Sequence, residues 1–486
     1  MLDLDLIRDD PARVRASMEA KRIGDPSAVD RALDADRKRR EAVTALQSLR
    51  EEQGALGRQI GPFMKAGRRD EAAPLIDRSN EIKQDVKRQE DTVRDLDDRL
   101  RSLLLEIPNV VHESVPHGGE EANEVAAEWG EKPQFDFEPL PHWELAERHG
   151  LVDFERGAKV SGAGFPFYVG RGARLQRALV ALFLDLAVDA GYTEVQAPVL
   201  VNEASGVGTG QLPDKEGQMY QVRTSSEDWK TDLANKSMYL FDLDVEGNDF
   251  HLKADFDRER RLLGMDLHQY YSFKLDQLME RPDGTSPELY LVPTAEVPLT
   301  NFHRGEVIEA DRLPLLYTGY TPCFRREAGS YGKDVRGLNR LHQFDKVEVV
   351  RFVQPEESYR HLEMLREDAE RAVRALGLPY RRLVLASGDL GMTQAKTYDL
   401  EVWSAGQGRW LEVSSVSNVE SFQARRANVR YRPEPGAKPQ FVHTLNGSAL
   451  ALPRVVAALL ENGQQADGSV VLPDRVAEYA GFGRIG

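Results

Sequence analysis

Arginine and carboxylate side chains cluster on two β-prone stretches of the sequence. Residues 324–327 read Phe-Arg-Arg-Glu, and residues 340–348 read Arg-Leu-His-Gln-Phe-Asp-Lys-Val-Glu. A short loop that contains glycine and lysine lies between them, so the pattern predicts a β-hairpin. Guanidinium groups bind carboxylates and phosphates through paired hydrogen bonds, and carboxylates bind ammonium groups. The hairpin therefore predicts a site that handles an amino acid and a nucleotide together.

Length and composition limit the class of protein. With 486 residues, the chain exceeds the roughly 250–300 residues at which one hydrophobic core stops growing, so two domains are expected. The acidic start of the chain and the lack of a run of about 18 apolar residues predict a cytoplasmic protein that has no membrane partner. The single cysteine, Cys323, excludes an internal disulfide and a cysteine-rich zinc site. It is expected to be buried and without a redox role.

A coiled-coil arm is predicted between residues 30 and 105. Apolar residues recur there at alternating steps of three and four in two series, which indicates two helical seams. The Gly-Pro pair at 61–62 and the segment 65–69 interrupt the pattern between the series. The two helices are therefore expected to form an antiparallel hairpin about 50 Å long. The seam positions are Leu46, Leu49, Gln53, Leu56, Ile60 and Phe63, then Leu75, Ser79, Ile82, Val86, Gln89, Val93, Leu96, Leu100 and Leu103.

The charge of this arm differs from that of the remaining chain. The arm contains 17 Lys and Arg residues against 16 Asp and Glu residues, whereas the whole chain has a net charge of −16. A polyanion would therefore bind the arm in preference to the rest of the chain. On these residues alone, a spacer or an oligomerisation element is the preferred interpretation, because most coiled coils serve that purpose.

The remaining sequence predicts an α+β domain with a largely antiparallel sheet, because short strands and hairpins outnumber βαβ units. A linker rich in Gly, Glu and Pro is expected from about residue 108 to 141. No P-loop sequence occurs, and the glycine-rich segment 206–210 is interpreted as a mobile loop because Gln-Leu-Pro follows it instead of a helix start. Strands are expected at 192–198, 289–292, 347–353, 383–385 and 410–413, and helices at 173–190, 356–376 and 449–462.

Long motifs occur in order at residues 294–296, 324–327, 342–348, 412–415, 422–426 and 446–454. Together they resemble the motifs of bacterial-type seryl-tRNA synthetases. The resemblance covers the whole chain except an extra segment over 223–287. It implies a class II synthetase antiparallel sheet with flanking helices, preceded by an N-terminal antiparallel coiled-coil arm. The class II signatures are the helix and strand that end at Pro198, the Phe324-Arg325-x-Glu327 hairpin, and residues 446–454. The seryl-specific signatures are residues 294–296, 342–348, 412–415 and 422–426.

The resemblance also implies domain boundaries and partners. Residues 1–107 would form a tRNA-binding arm domain and residues 108–486 a catalytic domain, with 223–287 as an insertion that the family lacks. The enzyme would use ATP and Mg²⁺ to convert L-serine to seryl-adenylate and would then transfer the seryl group to tRNA(Ser) and also to tRNA(Sec). In a homodimer, the arm of one subunit would bind the tRNA that reacts at the other subunit's site.

Particular side chains receive roles from the same resemblance. Arg325 and Arg454 would be catalytic, with Arg325 bridging the serine carboxylate and the α-phosphate and Arg454 holding the γ-phosphate. Glu412 and Ser415 would bind Mg²⁺, and Glu327 would receive the adenine amino group. Serine would be bound by Thr294, Ala295, Glu296, Glu348 and Ser448, and ATP by Arg325, Arg326, Glu327, Arg340, Glu412, Val413, Ser414, Ser415 and Arg454.

Two alternative functions stay open at this level. A relative of the same catalytic fold could load an amino acid onto a carrier protein, although such relatives look arm-less. The chain could also be a non-catalytic coiled-coil interaction protein, although a decayed site would be expected to lose some of its costly charges.

In the 223–287 insertion, a stretch from Asp242 to Gly247 imitates a calcium loop. Lys253 stands where a bidentate glutamate is required, so an acidic turn is expected there.

Overall fold

The computed structural model describes residues 1–214, 217–222, 289–327 and 336–486. The insertion predicted over 223–287, with its calcium-like turn, lies outside the described residues. In the described part of the chain, no helix is long and apolar enough to cross a membrane. The helices are α1 (Leu4–Asp9), α2 (Pro11–Lys21), α3 (Ser27–Lys65), α4 (Arg69–Glu106), α5 (His142–Arg148), α6 (Phe154–Ser161), α7 (Arg171–Asp189), α8 (Glu203–Thr209), α9 (Glu296–Asn301), α10 (Ser358–Ala375), α11 (Phe422–Ala427), α12 (Leu452–Gly463) and α13 (Asp474–Ala480).

An eight-stranded, mostly antiparallel sheet forms the centre of the molecule. The strands of the chain are β1 (Glu124–Trp129), β2 (Val152–Asp153), β3 (Phe167–Tyr168), β4 (Thr193–Glu194), β5 (Leu200–Asn202), β6 (Gln221–Val222), β7 (Leu289–Leu291), β8 (Val307–Glu309), β9 (Leu315–Phe324), β10 (Gln343–Val353), β11 (Tyr380–Val384), β12 (Lys396–Ser404), β13 (Arg409–Asn418), β14 (Arg430–Arg432), β15 (Gln440–Phe441), β16 (His443–Ala451), β17 (Val470–Val471) and β18 (Arg484–Ile485). The central order is β1-β11-β12-β13-β16-β10-β9-β4, in which the β4–β9 pair is parallel. The predicted antiparallel sheet and the predicted hairpin, formed by β9 and β10, are confirmed.

Helices α7, α10 and α12 cover one face of this sheet, and the other face carries polar side chains beside an apolar cluster that includes residues of α9 and α11. On β10, Val347 and Val349 are buried against α7, α10 and α12. Successive side chains of a strand point to opposite faces, so Lys346 and Glu348 lie on the face away from those helices. The apolar side chains of β10 pack against these helices, and its polar side chains are available for a binding site on the opposite face of the sheet.

Two long antiparallel helices form the arm, as the heptad pattern predicts. The seam between α3 and α4 buries Leu46, Leu56, Ile82 and Val86. The two helices contain 39 and 38 residues. At about 1.5 Å per residue, each is about 57 Å long. The arm is therefore slightly longer than the sequence pattern suggests.

The turn of the arm is shorter than predicted. Helix α3 continues through Gly61 and Pro62 to Lys65, and α4 begins at Arg69, so only residues 66–68 form the turn. A proline inside a helix removes one backbone hydrogen bond. Because Pro62 lies in the last turn of a long helix that packs along its seam, this loss does not end the helix. The prediction that the Gly-Pro pair breaks the helix is wrong.

The base of the arm packs against the part of the chain that contains the central sheet. Residues of α1, α2, α3 and α4 form one apolar cluster with Phe422 of α11. Lys21 is 2% exposed, and its ammonium group donates to the main-chain carbonyls of Gly391 and Gln394. Its burial lowers its pKa to about 7. Asn109, just after α4, donates to the carbonyl of Thr393 at 2.9 Å. The arm domain thus contacts the loop at residues 391–395.

Two segments that were predicted to be irregular have regular structure. The predicted linker contains β1, the edge strand of the central sheet, which pairs with β11. All side chains of β1 are exposed, so no alternation of apolar residues marks this strand in the sequence. The predicted mobile loop at 206–210 belongs mostly to α8, where the side chain of Asn202 accepts a hydrogen bond from the N–H of Ser205 at 3.0 Å. Conversely, the strand predicted over 192–198 contains only the two residues of β4.

Candidate active site

A cavity of about 390 Å³ opens on the polar face of the central sheet. Its walls come from β10, β13 and β16, from the residues before and at the start of α9, and from the start of α12. The structure therefore brings together predicted site residues that lie far apart in the sequence. These residues are Thr294, Glu296, Arg325, Glu327, Arg340, Glu348, Glu412, Val413, Ser415, Ser448 and Arg454.

The cavity has a buried end, formed by Thr294, Glu296, Glu348 and Ser448. Glu348 is 2% exposed, and one of its oxygens, Oε2, accepts two hydrogen bonds and forms an ion pair. The hydroxyls of Thr294 and Ser448 donate at 3.2 and 3.5 Å, and the Lys346 ammonium lies 2.6 Å away. The lysine charge offsets the cost of burying this carboxylate. The buried end can thus bind a small ligand with ammonium or hydroxyl groups.

Glu296, the first residue of α9, provides the second carboxylate of the buried end. Its Oε1 accepts hydrogen bonds from the amide of Gln423 at 2.6 Å and the amide of Asn446 at 3.1 Å. Burial, together with the nearby charge of Glu348, raises the pKa of Glu296 to about 7. A bound ammonium group would favour the charged form of Glu296, because an opposite charge lowers the pKa of a carboxyl group.

Arg325 follows β9 directly and lines the cavity next to the buried end. Its Nε donates to the carbonyl of Pro293 at 3.4 Å, and the guanidinium carbon lies 5.3 Å from the centre of the Phe344 ring. The main-chain N–H of Arg325 donates to the carbonyl of His342 at 2.9 Å. The β9–β10 hairpin thereby holds the guanidinium group in a defined position against the cavity.

The opposite end of the cavity, which we call the open end, is formed by Glu327, Arg340, Glu412 and Arg454. Arg340 pairs with Glu327 at 3.1 Å, and its side chain is 39% exposed. Arg454 donates to the carbonyl of Glu412 at 2.8 Å and lies 3.4 Å from its carboxylate, with side-chain exposures of 27% and 48% for the two residues. Partly exposed guanidinium groups that face a cavity are suited to binding the phosphates of a nucleotide.

A β-bulge places Glu412 and Ser415 on the same face of the sheet. In the pairing of β12 with β13, Glu412 lies opposite Glu401 and Ser414 lies opposite Leu400, so Val413 is the extra residue. A bulge of this kind shifts the alternation of side chains by one position. Glu412 and Ser415, three residues apart, therefore both face the cavity.

The oxygen atoms of Glu412 and Ser415 fit the chemistry of Mg²⁺, which prefers one or two carboxylates together with substrate phosphates. The Ser415 hydroxyl donates to Asp399 of β12 at 2.6 Å. Burial, followed by the nearby charge of Glu412, raises the pKa of Asp399 well above its ordinary value. Within the described ranges, no cluster of three or more His, Cys, Asp and Glu side chains could hold a metal ion. A metal ion here would need ligands from a bound nucleotide.

Three predicted site residues do not line the cavity. Ala295 is fully buried in the apolar cluster beneath α9. The hydroxyl of Ser414 points into the sheet and donates to the carbonyl of Ser448 at 2.6 Å. Arg326 has an exposed side chain outside the cavity lining. The neighbouring Cys323 is 0% exposed, which confirms its expected burial.

Other residues contribute to the site without a role having been predicted for them. Lys346 contacts Glu348, Gln423 and Asn446 hold Glu296, and Asp399 contacts Ser415. Lys346, Gln423 and Asn446 belong to motifs in the sequence, but their contacts form only because the fold brings distant segments together. Asp399 belongs to no motif. The acidic residues at alternate positions of β12, Asp399 and Glu401, could have indicated that one face of this strand is polar.

Known families match both parts of the chain. The model of the seryl-tRNA synthetase N-terminal domain matches residues 1–111, and that of the tRNA synthetase class II core domain (G, H, P, S and T) matches residues 273–463. A serine–tRNA ligase from Salinibacter ruber is 53% identical over 487 residues, which cover 100% of this chain and 99% of the relative. A serine–tRNA ligase from Geobacillus kaustophilus is 45% identical and covers 99% of both chains.

Solved structures agree with these matches. The crystal structure of seryl-tRNA synthetase from Pyrococcus horikoshii complexed with ATP has a TM-score of 0.81 and 32% identity, and the match covers 100% of this chain and 99% of that one. The cytoplasmic serine–tRNA ligase from Naegleria fowleri in complex with AMP has a TM-score of 0.77 and 25% identity, with coverage of 100% and 98%.

The antiparallel sheet with its charged cavity, together with these matches, defines a class II aminoacyl-tRNA synthetase. The relatives that match the full length of this chain are serine–tRNA ligases, and serine is therefore the amino acid. The chain belongs to the seryl-tRNA synthetase family, which confirms the resemblance seen in the sequence.

Proposed function

We propose that this enzyme activates L-serine with ATP to form seryl-adenylate and then transfers the seryl group to tRNA(Ser). The observation that carries the proposal is the convergence of the buried, carboxylate-rich end with Arg325 and the arginine-rich open end in one cavity. The buried end fits a small amino acid, and the open end fits the phosphates of ATP. Relatives solved with ATP and with AMP support the binding of a nucleotide.

The first reaction requires placement more than proton transfer. The serine carboxylate attacks the α-phosphorus of ATP, and pyrophosphate leaves. Because a carboxylate is already ionised at neutral pH, no strong general base is needed. Arg325 contacts both the attacking carboxylate and the α-phosphate, so that one planar guanidinium group aligns the two reactants and neutralises their charges.

The buried end selects serine by hydrogen bonding. Serine differs from alanine by one hydroxyl group, and a site whose buried polar groups pair with that hydroxyl leaves them unpaired when alanine binds. Glu296 and Glu348 bind the ammonium and hydroxyl groups, and Thr294 and Ser448 orient Glu348. Ala295 acts only by packing beneath α9, since its side chain does not reach the cavity.

The open end binds ATP. Glu327 receives the adenine amino group, while Arg340 and Arg454 contact phosphate oxygens. Glu412 and Ser415 would hold Mg²⁺, and such an ion supplies further neutralisation of phosphate charge when it is bound. Of the remaining predicted ATP contacts, Val413 lines the cavity and can contact ATP directly, whereas Arg326 and Ser414 lie outside the lining.

We assign the second reaction to the catalytic body, residues 108–486, and tRNA binding to the arm domain, residues 1–107. The enzyme acts as a homodimer in the cytoplasm, and the arm of one subunit binds tRNA(Ser) or tRNA(Sec) at the other subunit's site. The dimer face would be expected to include apolar side chains that are exposed in the single chain. The exposed residues are Val188, Val199, Leu200 and Phe302.

Removing the distal arm tests this division of labour. Gln89 of α4 donates to the carbonyl of Ala42 of α3 at 3.0 Å, so residues 43–88 can be replaced by a short glycine linker that leaves the base intact. Serine-dependent pyrophosphate exchange should stay within about twofold of the full chain. Charging of tRNA(Ser) should fall by about 100-fold, equivalent to contacts worth about 3 kcal/mol. Equal loss of both activities would contradict a separate tRNA-binding arm.

The function itself is tested by two assays with the purified full-length protein. ATP–pyrophosphate exchange should depend on serine and should not respond to alanine, and tRNA(Ser) should accumulate seryl groups. Exchange with serine but transfer only to a carrier protein would support the first alternative function. Absence of exchange with any amino acid would support a non-catalytic interaction protein.

A further inference from the structure

A buried histidine holds the loop that borders the open end of the cavity. His142, the first residue of α5, is 0% exposed, and its Nε2 lies 2.8 Å from the main-chain N–H of Leu338. Its Nδ1 lies 2.7 Å from Oε1 of Glu461 on α12, a residue that is also 0% exposed. Leu338 lines the cavity, whereas His142 and Glu461 do not. The histidine therefore acts from behind the cavity wall.

The hydrogen bonds around His142 assign one tautomer to its ring. The N–H of Leu338 needs an acceptor, so Nε2 carries no proton, and the proton on Nδ1 is donated to Glu461. Burial acts to raise the pKa of Glu461, but hydrogen bonds from His142 and Ser404 hold it below its ordinary value. Glu461 also accepts from the main-chain N–H groups of His142 and Gly406, at 2.9 and 3.0 Å, and from the side chain of Gln407 at 3.1 Å.

The loop is connected to α12 at two points. Leu338 is linked to Glu461 through His142, and the carbonyl of the next residue, Asn339, accepts a hydrogen bond from Nε of Arg454 at 3.1 Å. Arg454 and Glu461 are seven residues apart, so they lie on the same face of α12, about 10 Å apart along its axis. The side chain of Asn339 also donates to Gln407 at 2.9 Å. These bonds join the loop, α5 and α12 into one unit.

We propose that His142 is a positioning residue for the ATP end of the serine-activating reaction. By accepting the N–H of Leu338, it keeps the carbonyl of Asn339 against Arg454 and holds Arg340 at the edge of the cavity. Gly337 supports this role, because it has a φ of +70° and an added Cβ would lie 2.3 Å from Nε2 of His142. The contact therefore requires glycine at this position. This inference rests on the proposed function, since it assumes that ATP binds at the open end.

Two amide substitutions separate the two hydrogen bonds of His142. Asparagine places an amide nitrogen near the position of Nδ1, so His142→Asn can still donate to Glu461 but offers Leu338 no acceptor. Glutamine places an amide oxygen near the position of Nε2, so His142→Gln can still accept from Leu338. In pyrophosphate exchange, His142→Asn should lower kcat/KM for ATP by about tenfold, which corresponds to about 1.4 kcal/mol. KM for serine should change by less than about twofold, and His142→Gln should retain most of the activity.

A matched control identifies effects of lost stability alone. His361 on α10 is another buried histidine, 6% exposed, and its Nδ1 lies 3.0 Å from the guanidinium group of Arg351, away from the cavity lining. His361→Asn should lower the unfolding temperature without a selective effect on ATP. Parallel losses for ATP and serine in His142→Asn, or equal losses in the two His142 variants, would overturn the proposal.

A second variant keeps the proposal testable if His142→Asn does not fold. Gln407→Leu removes the acceptor for the side chain of Asn339 and lies outside the cavity lining. It should raise KM for ATP by about threefold with KM for serine unchanged, and an unchanged KM for ATP would count against the proposal. If the unmodified enzyme shows no serine-dependent exchange, the proposed function fails. If it is active and the variants are unselective, only the role of His142 fails.

Discussion

The two ends of the cavity differ in burial and in the way their charges are balanced. At the buried end, Glu348 is 2% exposed, and three donors, one of them an ammonium group, converge on one oxygen atom. At the open end, Glu412 and Arg454 have side-chain exposures of 48% and 27% and lie 3.4 Å apart. Water therefore screens the ion pair of the open end and reaches the carboxylate of the buried end much less.

This difference separates specificity from charge neutralisation. Removing one partner of a buried, hydrogen-bonded charge leaves the other partner unpaired at a cost of several kcal/mol. Removing a partly exposed guanidinium group costs less, because water and the remaining cations replace part of its effect. The buried end is therefore suited to rejecting a wrong amino acid, and the open end to holding a highly charged nucleotide.

The largest effect is expected from Glu348→Gln at the buried end. The substitution keeps the shape of the side chain but leaves the Lys346 ammonium without its carboxylate partner and weakens the binding of the serine ammonium. Serine-dependent pyrophosphate exchange should fall by at least about 1,000-fold, equivalent to about 4 kcal/mol. Asp345→Asn is the matched control, because Asp345 lies on the same strand and outside the cavity lining. Near-normal exchange in Glu348→Gln would contradict the assignment of serine to this end.

A smaller effect is expected from Arg454→Met at the open end. The change removes the charge and its hydrogen bonds to Glu412 and Asn339 while keeping a long side chain. KM for ATP should rise by roughly 10- to 30-fold, about 1.4–2 kcal/mol, with little change in KM for serine. Arg360→Met serves as the control, because Arg360 is 69% exposed and pairs with Glu357 on the surface. If Arg454→Met affected serine more than ATP, the assignment of the two ends would be reversed.

The smallest effect concerns the pH dependence of serine binding. Glu296 has a pKa of about 7 in the unliganded enzyme, and a serine ammonium group would favour its charged form. KM for serine should therefore decrease, by no more than about tenfold, as the pH rises from 6 to 8. Glu296→Gln should remove this dependence. A KM for serine that is independent of pH in the unmodified enzyme would show that Glu296 does not titrate with serine binding.

The raised pKa of Glu296 also affects the stability of the folded protein, which should decrease as the pH rises, whereas serine binding should become tighter. The folded pKa of Glu296 lies above its ordinary value of 4.5, so the folded protein holds the proton more tightly than the unfolded chain does. The resulting stabilisation is complete below about pH 4.5 and is lost as the pH rises through about 7. Serine should therefore raise the unfolding temperature more at pH 8 than at pH 6, as thermal denaturation with and without serine can measure.

The sequence predicts the cavity better than it predicts the elements around it. Arg325, Glu348 and Arg454 belong to long motifs in which residue type and spacing reflect one chemical task. The seam of the arm is readable because most of its positions are apolar and recur at a helical period. Burial and pattern coincide in these regions, so the prediction agrees with the structure.

The differences arise where pairing between distant segments decides the structure. Strand β1 has only exposed side chains, so its place at the edge of the sheet depends on backbone hydrogen bonds to β11, which no pattern reveals. The bulge at Val413 depends on the register of β12 against β13. The contact of Lys346 with Glu348 requires the observed strand geometry. Packing along the seam of α3 outweighs the local effect of Pro62.

A structure of the enzyme with serine and a non-hydrolysable ATP analogue tests the central claim most directly. The account predicts the serine ammonium and hydroxyl groups within about 3 Å of Glu296 and Glu348. It also predicts that Arg325 contacts both the serine carboxylate and the α-phosphate, with the remaining phosphates beside Arg340 and Arg454. Phosphates bound at the buried end, or serine bound outside the cavity, would contradict it.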